Sequence, residues 1–492
     1  MIDATDKIVC PGFIDIHSHS DLHLLGNPLA ESKVRQGVTT EVVGNCGSSG
    51  APLVGSARDY AEDLARDLCV KVDWTSMDEY LLRLHNASPS VNVATFVGAE
   101  NIRRAILGDS NVLPTGEQLE RMRNMVAEAV IQGAFGLSSG LIYAPGCFAS
   151  TEELASLAAV ASSLGGIYAS HIRGEGRTLV KAVEEAIAIG RAAGVRVQIS
   201  HHKACGSASW GKVVETIQII EAARTDGVDV AFDVYPYTAS CTSLDSVMPP
   251  WAREGGKEAV IRRAKDSSLR PRLAAEMETP SQEWEASAAE IGWDKIVVID
   301  IKSEKNKRFE NASISEIAKA LGKNPAEVVL DLIVEEEDHV SAVFHEISED
   351  DVITVLAHPL AAIGSDGCAE SAYGPRSSSA VHPRSFGTFP RVLRRYVLEK
   401  ELLTLEEAIR KMTSLPASRL GFTDRGVLAP GMAADIVVFD PGRIRDTATF
   451  EDPRRYPEGI DYVLVNGMIT VEQGEHTKER AGRVLRHSPS IA

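Results

Sequence analysis

Ile167-Tyr-Ala-Ser-His171 and Val195-Arg-Val-Gln-Ile-Ser-His201-His202 decide the fold: each is a short, mostly apolar run that ends in histidine. Between and around them lie the longer stretches 151–164, 175–193 and 211–225. There, small and apolar residues recur at helical spacing, with Glu, Lys or Arg on the other face. Thr151-Glu-Glu153 marks a helix start and Gly194 a stop. Further strand-like runs at 93–97, 134–138, 228–234 and 361–365 carry the same alternation from Val91 to about Asp366, which is the signature of βα units on a parallel sheet. Eight such units close a TIM barrel, whose functional side chains stand at the C-terminal ends of the strands. The strand ends here deliver His171, His201 with His202, and Asp366.

Phe13-Ile-Asp-Ile-His17-Ser-His19 reads as one more strand. Its two histidines, at i and i+2, point to the same side, a spacing that lets two imidazoles grip one metal ion. Two regions break the alternation. Residues 245–338 are charged, rich in Trp and Glu and too long for a βα loop, so an inserted helical subdomain is expected there. After Leu420 the chain turns β-like, through Gly426-Val-Leu-Ala-Pro-Gly-Met-Ala-Ala-Asp-Ile-Val-Val-Phe-Asp440 and Tyr462-Val-Leu-Val-Asn-Gly-Met-Ile-Thr-Val471. The expected organisation is a remnant of a small β domain at 1–10, a barrel at 11–420 interrupted by the insertion, and a C-terminal β segment at 421–492.

Composition narrows the function classes. The 492 residues carry 51 Lys+Arg against 69 Asp+Glu, a formal charge of −18, which disfavours nucleic acid and anionic membranes as partners. The uncharged stretch 129–151 is broken by Gly, Ser and Pro and cannot span a bilayer. Seven scattered cysteines without a CxxC read as reduced thiols, and no signal peptide is visible at the N-terminus, so a cytoplasmic protein is expected.

Read together, Pro11-Gly-Phe-Ile-Asp-Ile-His-Ser-His19, Gly44-Asn-Cys46-Gly, Ser170-His-Ile-Arg-Gly-Glu175, Ser200-His-His-Lys203, Asp233-Val-Tyr-Pro-Tyr237, Gly364-Ser-Asp-Gly367, His382-Pro-Arg384 and Ala434-Asp-Ile-Val-Val-Phe-Asp440 are specific in kind and order. The set resembles the amidohydrolase superfamily, in its D-aminoacylase (N-acyl-D-amino-acid deacylase) branch, over almost the whole chain. The resemblance implies a (β/α)8 metal-dependent hydrolase barrel with a small β-sandwich domain. It implies hydrolysis of the amide bond of small-molecule N-acyl-D-amino acids to a carboxylate and a free D-amino acid. His17, His19 and Asp366 would hold one metal, and His171 and His201 the other. Cys46 would stand where other branches place a carboxylated lysine. Zinc suits these donors, one ion bound tightly and a second more weakly. Asp366 would be the catalytic acid and base, and Lys203, Tyr235 and Arg384 would clamp the substrate α-carboxylate. Neighbouring His202 is either an oxyanion stabiliser or a packed residue.

The chain departs from the family pattern in places. Only 16 residues precede His17, which leads to the expectation that the N-terminal part of the β domain is missing and that the C-terminal strands lack partners. Val97-Gly-Ala-Glu100 stands where a Gly-His pair is usual, and Cys241 where a serine is. A cyclic amidase of the hydantoinase or dihydroorotase kind would favour lysine over Cys46, and a non-catalytic relative would have no need to keep every ligand.

Overall fold

The computed structural model of the protein describes residues 2–374 and 376–489; Met1 and residues 490–492, the ends of the two expected β segments, lie outside them. In chain order the strands are β1 Ile8–Pro11, β2 Phe13–Asp15, β3 Val38–Val43, β4 Asn92–Thr95, β5 Val97–Gly98, β6 Gly136–Gly140, β7 Ile167–His171, β8 Arg196–Ile199 and β9 Val230–Val234. They continue with β10 Ser240–Ser243, β11 Ile296–Ile299, β12 Ser341–Phe344, β13 Ala361–Ile363, β14 Ile436–Phe439, β15 Ile460–Val465, β16 Met468–Glu472 and β17 Glu475–His476.

The body of the molecule is α/β. Six strands pair in parallel in the order β13-β9-β8-β7-β6-β5, and three more in the order β2-β3-β4. Backbone hydrogen bonds cross both junctions between these arcs. At one, His19 N–H donates to Gly367 O (3.1 Å) and Asp366 N–H to His17 O (2.8 Å); at the other, Phe135 N–H donates to Thr95 O (2.8 Å). These strands are buried on both faces; β9, Val-Ala-Phe-Asp-Val, runs mostly apolar instead of alternating, while β3 and β4 bury Thr39, Thr40, Glu41 and Asn92 beside their apolar residues.

Local chemistry sets the helix ends. Ser150 Oγ accepts from Glu153 N–H and starts helix Thr151–Ser163, and Gly194, at φ +60°, closes helix Leu179–Ala193 in a left-handed turn. The latter helix begins at Leu179 and not at Glu175, because the loop before it carries Glu175 to the strand ends, where Lys203 holds it.

Residues 244–344 build a second apolar core, including Leu273, Val298, Ile317, Val329 and Phe344, around the antiparallel sheet β10-β12-β11. This insertion touches the α/β body at Lys257–Asp63 (2.8 Å) and through Glu285 Oε2, which accepts from Glu175 N–H (2.7 Å).

The C-terminal strands correct an expectation. β14 and β15 are inner strands of one antiparallel sheet, β1-β14-β15-β16-β17, with Ile8–Pro11 paired to Ile436–Phe439. They have partners, supplied by the few residues before His17. Among the described residues this is a single sheet, not a sandwich. Its Val437, Val463, Val465 and Val471 join the apolar core of the α/β body, so that body takes the place of a facing sheet.

Candidate metal centre

The strand ends bring the separated donors together. His17 Nε2 lies 3.3 Å from Cys46 Sγ and 3.3 Å from Asp366 Oδ1, and His19 Nε2 lies 2.9 Å from the same oxygen. Cys46 Sγ is 3.5 Å from His201 Nε2, whose ring stands edge-on to that of His171 at 4.4 Å between centroids. Two buried sets of donors result, each within 4.8 Å across: His17, Cys46, His201 and Asp366, and His171, Glu175 and His201. His19 touches the first set through Asp366.

Three of these residues have unusual backbones. Cys46, His201 and Asp366 have φ of +49°, +35° and +52°, a region that costs a side-chain-bearing residue about 1–3 kcal/mol. Hydrogen bonds hold two of them: His201 N–H donates to Asp233 Oδ1 (2.8 Å) and Asp366 N–H to His17 O. The Cys46 turn is enforced from outside. A Cβ on Gly47, itself at φ +76°, would lie 1.3 Å from Glu100 Oε2, so glycine is required after the cysteine. Glu100 stands in the segment that departs from the usual pattern, next to Ala99, which follows Gly98. It is buried, accepts from Gly140 N–H (2.8 Å), and is pushed up to about 8 chiefly by burial.

A carboxylate orients the His17 ring. Asp233 Oδ1 accepts from His17 Nδ1 (2.9 Å), which puts the ring proton on Nδ1 and leaves the Nε2 lone pair facing Cys46 and Asp366. Glu175 Oε1 lies 2.9 Å from His201 Nδ1 but off the hydrogen-bonding angle, and the donor that this nitrogen meets is Lys203 Nζ at 2.8 Å. Neither acid was singled out from sequence as a site residue. Each lies inside a quoted motif, but only the fold shows what it faces.

Electrostatically the cluster calls for a cation. Burial pushes the Cys46 thiol up, but the His17 and His201 rings beside it outweigh burial and hold it well below the ordinary thiol range. Asp366 is likewise held well below the usual carboxylate range, with burial opposed by Arg384, His17 and His201. Burial lowers His19 and His201, yet Asp366 and Cys46, joined at His201 by Glu175, carry both up to about 9. In a metal-free protein, protons therefore balance the thiolate and the carboxylate. Both ring nitrogens of buried His171 lack a hydrogen-bond partner among the described residues. Unpartnered imidazole beside thiolate, imidazole and carboxylate fits a borderline-soft divalent ion.

The candidate carboxylate clamp lines the same cavity, of about 1130 Å³. Arg384 Nη1 lies 2.7 Å from Asp366 Oδ2 but off the hydrogen-bonding angle, and the Tyr235 hydroxyl is buried with no partner among the described residues. Lys203 Nζ donates to Glu175 Oε1 (2.6 Å) and to His201 O (3.1 Å). Its third partner is His201 Nδ1 at 2.8 Å, which accepts, so all three lysine N–H groups are engaged. His382 supports the Arg384 loop, its Nδ1 accepting from Arg384 N–H (3.0 Å). Cys241 acts through its carbonyl, which accepts from Arg384 Nη2 (3.2 Å), so the thiol that replaces a hydroxyl takes no part in that contact. His202 turns away, with Nε2 at Thr216 Oγ1 (2.9 Å) and its ring packed on Phe232.

A parallel α/β body with imidazole, thiolate and carboxylate donors gathered at its strand ends defines a metal-dependent hydrolase. The chain belongs to the amidohydrolase family, whose model matches residues 1–471. It is 38% identical to an N-acyl-D-glutamate deacylase of Alcaligenes xylosoxydans xylosoxydans over 493 residues, 100% of this chain and 89% of that one. Among solved structures it is similar to an N-acyl-D-glutamate deacylase from Bordetella bronchiseptica complexed with zinc and a phosphonate inhibitor that mimics the tetrahedral intermediate. That match has a TM-score of 0.80 at 35% identity and covers 98% of this chain and 90% of that one. A D-aminoacylase structure described in terms of a binuclear metal centre, with one-metal activation and second-metal attenuation, matches at TM-score 0.80 and 34% identity, covering 99% and 90%.

Proposed function

We propose that this protein is a zinc-dependent deacylase that hydrolyses N-acyl-D-amino acids to a carboxylate and a free D-amino acid. One observation carries the reading: Asp366 touches both halves of the required chemistry, with Oδ1 at His17 and His19 and Oδ2 at Arg384. In this reading the paired arcs of parallel strands form a (β/α)8 barrel, with residues 245–338 inserted over its mouth and the terminal segments 1–10 and 421–492 forming one small β domain. His17, His19 and Asp366 hold one metal position, and Cys46, His171 and His201 the other, one ion bound tightly and the second weakly. Seven free thiols suit a cytoplasmic setting.

Zinc bound there supplies a Lewis acid for the amide carbonyl and lowers the pKa of water toward neutrality. Asp233 keeps His17 in the tautomer that presents Nε2. Arg384, the Tyr235 hydroxyl and Lys203, whose bond to His201 Nδ1 gives way, bind the substrate α-carboxylate. The guanidinium then turns from Asp366 toward the substrate, freeing Oδ2. Asp366 Oδ2 takes the proton of the attacking water and returns it to the leaving nitrogen. With the carbonyl and the α-carboxylate both fixed, each hand of the α-carbon has one direction left for its side chain, and only one hand is accepted. The test is release of free amine from a panel of N-acetyl-D- and L-amino acids by zinc-loaded protein. Turnover of D substrates alone is expected; a preference for L substrates, or no turnover of either hand, would refute the assignment.

A further inference from the structure

The Asp366 turn hangs on a buried cation that lies outside every motif quoted from the sequence. Lys33, on the short helix Glu31–Val34, is wholly buried. Its ammonium has three N–H groups, and all three are used, by Asp15 Oδ2 (2.8 Å), Ser365 Oγ (2.7 Å) and Gly367 O (3.0 Å). Two of these acceptors belong to the residues on either side of Asp366, the donor whose φ of +52° a non-glycine residue rarely adopts. Asp15 completes the hold. Its Oδ1 accepts from Ser365 N–H (2.8 Å) and its Oδ2 from Ser365 Oγ (2.6 Å), and Ser365 Oγ in turn accepts from Gly367 N–H (3.1 Å). We propose that Lys33 is a positioning residue: its ammonium fixes the turn 365–367 and thereby sets the Asp366 carboxylate against His17 and His19.

The same cation reaches the other ligand-bearing strand end. Glu41 Oε2 lies 3.5 Å from Lys33 Nζ and accepts from Ser20 Oγ (2.6 Å) and from Ser18 Oγ, the residues on either side of His19. Gly367 O also accepts from His19 N–H (3.1 Å). The segments 17–19 and 365–367 are thus tied across the junction of the two arcs, with Lys33 behind them. An ammonium is strongly hydrated, and apolar side chains of similar volume often stabilise a core as well as a buried ion pair does. Apolar packing does not supply three directed N–H bonds from one point, and here two of the three end on the residues that flank Asp366. Lys33 does not line the cavity, so any influence on the reaction passes through the donors it holds.

The kinetic half of the test rests on the deacylase reading, and the metal half does not. Lys33→Met alone strands Asp15 as a buried carboxylate, so it is combined with Asp15→Asn. Ser365→Ala cuts the link from the turn side and leaves the Lys33–Asp15 pair in place. Zinc is titrated into each metal-free protein, and kcat and KM are measured on N-acetyl-D-amino acids. The tight zinc equivalent, held by Cys46, His171 and His201, is expected to stay in both variants, and the weaker one to lose about 10- to 100-fold in affinity. The expected fall in kcat is about 10- to 100-fold with KM nearly unchanged, because the acid and base is displaced while the clamp is not. Added to Asp366→Asn, either change should lower kcat no further, whereas a residue that only stabilises the fold would lower it by the same factor in both backgrounds. Should the double variant not fold, Ser365→Ala decides. Unchanged affinity for the weaker zinc in a folded variant, or a fall in kcat that multiplies with that of Asp366→Asn, overturns the assignment. If the wild type cleaves no N-acyl-D-amino acid, the deacylase reading fails, and the zinc titration still decides the role of Lys33.

Discussion

Replacing Asp233 separates its charge from its hydrogen bonds. Its Oδ1 accepts from His17 Nδ1 and from His201 N–H, and its Oδ2 accepts from Gln198 Nε2 at 3.0 Å. In Asp233→Asn the amide oxygen can keep both Oδ1 bonds, and the new NH₂ then meets the Gln198 NH₂. That clash is relieved by flipping the Gln198 amide, whose Oε1 has no partner at present. Geometry survives and the negative charge behind His17 is lost, so zinc affinity should fall about 10- to 100-fold, the usual effect of removing a carboxylate behind a ligating histidine. Asp233→Ala instead strands three buried donors at about 1–3 kcal/mol each, a loss of roughly 3 kcal/mol or more against a typical total of about 5–15. The assays are chelator competition for zinc and thermal unfolding of the metal-free protein. Asn should move the first far more than the second, and Ala should move both. Zinc affinity unchanged in a folded Asp233→Asn protein would show that the carboxylate does not tune His17.

Asp366→Asn should cut turnover about 10²- to 10⁴-fold while zinc stays bound through Cys46, His171 and His201; near-normal turnover would leave Asp366 a structural role. Arg384→Ala should raise KM and lower kcat/KM for N-acyl-D-amino acids without changing zinc content, and unaltered kinetics would remove Arg384 from the clamp. Zinc affinity should rise with pH. The neighbouring Asp366 and Cys46 push His19 and His201 up to about 9 against burial, so below that pH zinc must displace their protons, and above it the dependence should flatten. Affinity that does not change between about pH 6 and 9 would contradict the proton-balanced cluster.

The donors were legible because each ends a strand, and strands show themselves locally. Alternation and apolar runs placed His17, His19, His171, His201 and Asp366 at the ends of parallel strands, where a fold of this class gathers its polar groups. Their orientation was not legible. His17 is aimed by Asp233, 216 residues away, and the Cys46 turn is wedged by Glu100, whose motif differs from the family pattern. Lys203 and Arg384 could be named as cations, but the occupation of Lys203 by Glu175 and of Arg384 by Asp366 depends on strands that meet only in the folded chain.

The sequence by itself determined the alternating α/β architecture, the inserted segment and the chemical kinds at the site, because residue type and short-range periodicity carry that information. Tertiary structure alone decided that Ile8–Pro11 completes the C-terminal sheet and that His202 faces a helix while His201 faces the metal donors. It also decided that Arg253, one of 51 Lys and Arg, is the cavity arginine with no carboxylate within 4.0 Å among the described residues. Pairing, burial and the absence of a partner are properties of two groups at once, and the chain separates those groups by distances over which local pattern carries no signal.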